Sequence, residues 1–287
     1  MPTSQPAPLP YAATGALPAW APRFLMTAGV AVMAIVVAIC LPFWLTDLGS
    51  EILAVATPAL QWIPFLAILI VHAILRPGVR FWRWSAIGVR PLGQTLGAAG
   101  IALAVFTIVP LATIVATASL GLVDYSVVEG AGTAALLVLP FSIVWMLFAF
   151  GEEAGWRGYI QTTLAPLGFW GSTLIIGGFW AAWHLPVALT YSLDGTMPMR
   201  VVVTTTVNLL FAAVAISAVR YLGGSVWPAV FAHAVMNTMG QFAYSNLITP
   251  LADLDTPTYW AFHGVSWTIW AAVAIAVGKL VRRRAAR

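Results

Sequence analysis

Apolar runs of about 20 residues recur along the whole chain and are separated by short polar connections. They cover 24–45, 52–75, 93–118, 133–163, 169–190, 201–219, 227–247 and 259–281. At 1.5 Å of rise per residue, a helix of that length crosses a hydrocarbon layer about 30 Å thick. Backbone N–H and C=O groups in lipid have to pair within their own segment, so the runs predict helices. The expected fold is an all-α polytopic membrane protein with about eight transmembrane helices. No internal repeat and no soluble domain interrupts it. A single membrane domain over 23–282 is expected, preceded by a disordered, Pro- and Ala-rich tail at 1–22 and followed by a basic tail at 283–287.

Charge sharpens this picture. Only 8% of the 287 residues are charged, 61% are hydrophobic, and the mean hydropathy is +0.93, whereas soluble domains carry roughly 25% charged residues. A soluble enzyme is excluded, because too few charges exist to coat a water-facing surface. The pI near 9.6 does not point to nucleic acid, since the basic residues lie between the apolar runs, where they act as topology signals. With the N-terminus inside, the cytoplasmic side collects Arg23, Arg76, Arg80, Arg83, Arg90, Arg157, Arg220, Lys279, Arg282, Arg283, Arg284 and Arg287, leaving Arg200 outside. The acidic residues Asp47, Glu51, Asp124, Glu129, Asp194, Asp253 and Asp255 fall in the outer loops. Both termini are therefore expected in the cytoplasm. The lone cysteine, Cys40, excludes an intramolecular disulfide. Ile39 before it does not suit a lipoprotein signal, and the run from Phe24 to Leu45 is long enough to span rather than be cleaved.

Once the loop charges are set aside, few ionisable groups remain in or near the spans: Glu152, Glu153, Arg157, His72, His184, His233 and His263. Charges inside an apolar segment are costly and by default suggest function. Glu153 and Arg157 are four apart and share a helix face, so they can neutralise one another, while Glu152 points about a quarter turn away and is free to face a cavity as a general base. Two adjacent glutamates exceed what one arginine requires. On the fifth run Trp180 and His184 are four apart, and Pro186 is expected to kink the helix by leaving the Ala182 carbonyl unpaired. On the seventh, His233 and Asn237 have the same spacing and can act as paired donors. Convergence of three helices on one polar site is the economical reading. From assumed inner helix ends, Glu152 lies about 18 Å deep, His184 about 22 Å and His233 about 9 Å, so tilt or a short seventh span is needed to bring them level.

These clusters resemble the intramembrane protease family that includes the type II CAAX prenyl endopeptidases and the bacteriocin-processing and immunity proteins, known as CPBP or Abi. Its pattern is Glu-Glu-x-x-x-Arg, Phe-x-x-x-His and His-x-x-x-Asn, and here Glu152-Glu153-x-x-x-Arg157, Trp180-x-x-x-His184 and His233-x-x-x-Asn237 follow in that order. Trp180 replaces the phenylalanine and keeps an aromatic ring. The likeness covers about 130–245, the expected protease core. It implies that Glu152 and His184 activate a water for attack on a peptide carbonyl, that His233 and Asn237 stabilise the oxyanion, and that Glu153, Arg157 and Trp180 support the site. Glu152, His184 and His233 could also supply three ligands to a zinc ion, and the sequence leaves metal-dependent and metal-free chemistry both open. Signatures of other protease types are missing: the chain has no His-Glu-x-x-His, no Gly-x-Ser-x-Gly and no Gly-x-Gly-Asp.

The remaining polar residues have plainer readings. His72 and His263 are expected to be interfacial or packing residues. Many of the 14 tryptophans suit the headgroup zone, and Thr204, Thr205, Thr206 and Asn208 suit hydrogen bonds between helices. The leading function is a membrane-embedded peptidase acting on membrane-associated protein or peptide substrates. The Arg-rich, Lys-poor composition leads to an expected setting in a bacterial cytoplasmic membrane. The competing reading is a non-catalytic immunity or scaffold protein that keeps the polar cluster for packing. A transporter ranks third, because no two related halves are found.

Overall fold

The computed structural model describes residues 9–46 and 48–286. Asp47 and Arg287, used in the charge argument, and the first eight residues of the expected tail lie outside them. Of the described residues 80% are helical, and their only extended pairing is an isolated bridge between Tyr125 and Ile248. The helices are α1 (Ala21–Leu45), α2 (Ser50–Leu60), α3 (Ile63–Leu75), α4 (Phe81–Trp84), α5 (Leu92–Ser119), α6 (Ala131–Glu153), α7 (Gln161–Leu164), α8 (Gly168–Leu193), α9 (Met199–Gly223), α10 (Trp227–Asn246) and α11 (Thr256–Ala285). A π-helical segment, Ala154–Ile160, joins α6 to α7, and a 3-10 turn, Ala165–Leu167, precedes α8.

Large apolar side chains face outward along these helices, among them Met26 at 69% exposure, Leu136 at 80% and Ile74 at 70%. Such a surface suits lipid and not water. Five helical stretches are long and apolar enough to cross a membrane, or six if the bent pair α2–α3 is one span, against the eight crossings expected. The longest of the five, Ala131–Leu193, would measure roughly 95 Å if straight. It doubles back instead: Gly168 turns with φ +74°, and Trp180 on the return limb bonds to Glu152 on the outgoing one.

The break between α2 and α3 bends by 55° at Gln61–Trp62. Pro64 lies in the first turn of α3, where its missing N–H costs nothing and its fixed φ favours a fresh helix start. Small residues let the helices close in on this bend. A Cβ on Gly151 would come within 2.6 Å of the Gln61 carbonyl oxygen and the Trp62 Cα, and one on Gly155 within 3.1 Å of Pro64. Helix α10 packs against α5, α6 and α9 at the centre, α8 against α1 and α9, and α11 against α5 and α9. Thr204 hydrogen-bonds Tyr259 and Asn208 accepts from Trp267, so the polar stretch of α9 does bond to α11. The last part of the expected tail lies along the protein, with Thr14 N donating to the Pro166 carbonyl and Tyr11 stacked on Phe169. Helix α8 contains Pro186 and continues to Leu193.

Candidate active site

The three polar clusters meet where α6, α8 and α10 face one another. Glu153 Oε1 accepts from Arg157 Nη1 at 2.9 Å and from His233 Nδ1 at 2.8 Å. One carboxylate therefore joins its own helix to α10. Arg157 and Glu153 are both fully buried, a costly arrangement that mutual pairing offsets. The Arg157 guanidinium also lies 4.3 Å from the Trp180 ring centroid, a cation–π contact that is strengthened by desolvation. Its other nitrogens, Nε and Nη2, have no hydrogen-bond partner.

Glu152 faces away from this pair, as its position on the helix predicts. Its Oε2 accepts from Trp180 Nε1 at 2.5 Å, and the carboxylate lines a cavity of about 360 Å³ together with Trp180, His184, His233 and Asn237. Glu153 and Arg157 sit behind that cavity and do not line it. Trp180 meets His184 edge-on, with an interplanar angle of 83°, and meets His233 the same way at 76°. The imidazole of His184 is oriented by a hydrogen bond from Nδ1 to the Trp180 carbonyl at 2.8 Å in addition to that ring contact. With Nδ1 protonated toward a carbonyl, Nε2 is left as an acceptor at the cavity.

The expected mismatch in depth between the glutamates and His233 is reduced by where the helices start. The segment after α4 packs under the site: Ala86 and Ile87 carbonyls accept from Val226 N and Trp227 Nε1, and Ser85 O lies against Gly158. That contact level is six residues below His233 on α10 and five beyond Glu153 on the outgoing limb, so they lie about 9 Å and at most about 7.5 Å from it. Leu164 is not the level from which depth counts, because the π segment and α7 continue past this point.

Several contributors were not legible beforehand. Arg220, read as a topology charge, is 2% exposed and donates from Nε to the Arg157 carbonyl at 3.0 Å. A π turn shifts the backbone pairing to i→i+5, and Arg220 supplies a donor to a carbonyl inside that turn. Gln61, at the α2–α3 break, lines the cavity with its Oε1 buried and unpartnered. Gln241 also lines it. The spacing His233, Asn237, Gln241 along one helix face was visible in the sequence. Gln61 carried no signal beyond being a lone amide in an apolar run. His72 bonds Tyr159 through Nδ1 at 2.8 Å, which is the packing role expected of it.

The proposed zinc ligands Glu152, His184 and His233 line the same cavity, but they do not form a ligand set. Among the described residues no three His, Cys, Asp or Glu side chains are grouped so as to hold a metal ion. Trp180 holds an oxygen of Glu152, and Glu153 holds a nitrogen of His233.

Fold and cavity together define a class: a polytopic helical membrane protein that carries a desolvated carboxylate–imidazole site between its helices. Residues 134–239 match the family described as type II CAAX prenyl endopeptidase Rce1-like, a span that contains all three motifs from Glu152 to Asn237. Over this core the chain is similar to the type II CAAX prenyl endopeptidases. No curated protein matches the chain in sequence.

Proposed function

We propose that the protein hydrolyses peptide bonds of membrane-associated protein or peptide substrates, with Glu152 and His184 activating the attacking water. The observation that carries this reading is the common cavity, in which a buried carboxylate and an oriented imidazole face the same space. Glu152 takes the water proton as general base, and His184 Nε2 holds the water or relays the proton toward the leaving amine. A metal is not required in this scheme.

The two histidines are suited to different tasks by their partners. His184 bonds a neutral carbonyl, whereas His233 bonds a carboxylate. For His233 to donate from Nε2 to an oxyanion while Nδ1 donates to Glu153, the ring must carry both protons. Asn237, one turn further on and on the same cavity wall, supplies a second donor. Glu153 and Arg157 hold His233 in place, and Trp180 holds Glu152.

The test compares new protein termini by mass spectrometry in membranes containing wild type or Glu152→Gln at matched, folded levels. Removing a general base slows hydrolysis by roughly 10²–10⁴-fold, so termini specific to wild type are expected. Coincident profiles would instead favour a non-catalytic immunity or scaffold protein built on the same fold.

A further inference from the structure

A second cavity adjoins the first. It measures about 260 Å³ and lies between α5, α9, α10 and α11. Among the described residues, Leu209, Met236 and Asn237 line both cavities and stand between them. Its wall is mixed: Phe106, Val109 and Trp270 on the apolar side, Thr205, Asn208 and His263 on the polar side.

His263 is the informative member. It is 6% exposed, and neither ring nitrogen has a hydrogen-bond partner in the protein. Every imidazole has at least one N–H to donate, and its neutral form also has a lone pair to satisfy. Leaving both unpaired in a low-dielectric interior is strongly unfavourable. A packing histidine, as the sequence suggests, would have found a partner, as His72 does with Tyr159. Asn208 adds to the polar wall, since its Oδ1 accepts from Trp267 and its amide N–H groups remain available. The volume is many times the roughly 10–15 Å³ that one water requires, and the site offers the several polar partners that a buried water needs.

We propose that this cavity is a hydrated chamber anchored by His263, and that it holds the water consumed at the catalytic cavity, delivered past Asn237. The proposal rests on the hydrolase reading for its second half only. Hydrolysis of each peptide bond uses one water, in a site walled by lipid-facing helices, so a store beside the oxyanion donors meets a need that the catalytic residues do not. His263 lies about 10 Å along α11 from Thr256. That puts the chamber toward the end of the molecule where α10 leads into α11, on the opposite side of Asn237 from Glu153.

Radiolytic hydroxyl labelling of the full-length protein in lipid nanodiscs tests the chamber, because side chains beside trapped water are modified fastest. Tyr244 and Trp270 line this cavity and not the catalytic one, and they are the reporters. Their labelling is expected to fall several-fold in His263→Phe and to be largely kept in His263→Gln, which retains a polar head. Equal labelling of the two reporters in wild type and His263→Phe would overturn the proposal. In parallel, the wild-type-specific termini are followed over time, and their appearance should slow several-fold in His263→Phe and recover in His263→Gln. An unchanged rate despite lost labelling would overturn the supply role. If wild type cleaves nothing, the hydrolase reading and the supply role fail together, while the labelling still decides whether the chamber is hydrated.

Discussion

At the scale of single residues, the two adjacent glutamates do opposite things. Glu153 is committed to charge pairing, with Arg157 and His233 on one oxygen, while Glu152 has only an indole N–H to hold. Substitution should separate them. Glu153→Ala leaves a fully buried guanidinium without its counter-charge and is expected to cost about 3–5 kcal/mol. Glu152→Gln keeps shape and hydrogen-bonding capacity and is expected to change stability far less. Thermal unfolding in detergent, measured side by side, checks the contrast; a comparable drop for both would mean that Glu152 is as structural as Glu153. Much of this was legible in advance, because a four-residue spacing on a helix dictates which side chains can meet. The His184 orientation was not, since a hydrogen bond to a backbone carbonyl leaves no mark in residue spacing.

At the scale of elements, the site depends on close approach between helices. The outgoing limb touches the α2–α3 bend through Gly151, where an added methyl would sit 2.6 Å from backbone atoms. Gly151→Ala should therefore push the bend and Gln61 away from the cavity, at a cost of about 1–3 kcal/mol for overpacking, and reduce cleavage. Gly132, on the same helix with nothing within 4 Å, is the control: Gly132→Ala should be neutral or stabilising by about 0.5–1 kcal/mol. Equal effects at the two positions, by thermal unfolding and termini counts, would refute the close-packing account. The apolar runs revealed the helices, because the bilayer's length scale is written into each one. They did not reveal the break at Gln61–Trp62 or the π segment after Glu153, because both lie inside runs of uniform hydropathy and are set by tertiary contacts.

At the scale of the whole molecule, the arrangement of basic residues predicts a topology that can be tested. Cytoplasmic termini and outer acidic loops are what the charge sorting predicts, while Arg220, counted in that sorting, is in fact a buried hydrogen-bond donor. Topology can be read directly with single cysteines in a Cys40→Ser background. Arg23→Cys and Arg284→Cys should react with an impermeant maleimide only after the cytoplasmic face is opened, and Thr196→Cys should react from outside in intact cells. Labelling of Arg284→Cys in intact cells would overturn the cytoplasmic C-terminus.

The π segment has a consequence for the chain as a register. A seven-residue stretch, Ala154–Ile160, paired i→i+5 holds more residues per turn than the α-helix it interrupts, so everything after it is out of phase with everything before it. The anchors near its end and beyond it, Tyr159 on His72 within the stretch and Thr163 on Trp84 after it, and the glutamates upstream are aimed correctly only with that offset. Removing one residue from the stretch would rotate one set against the other by about 100°, whereas a residue added or lost in the loops between helices would rotate nothing. Length variation in this protein is thus tolerable in the connections and forbidden within one short window beside the glutamates.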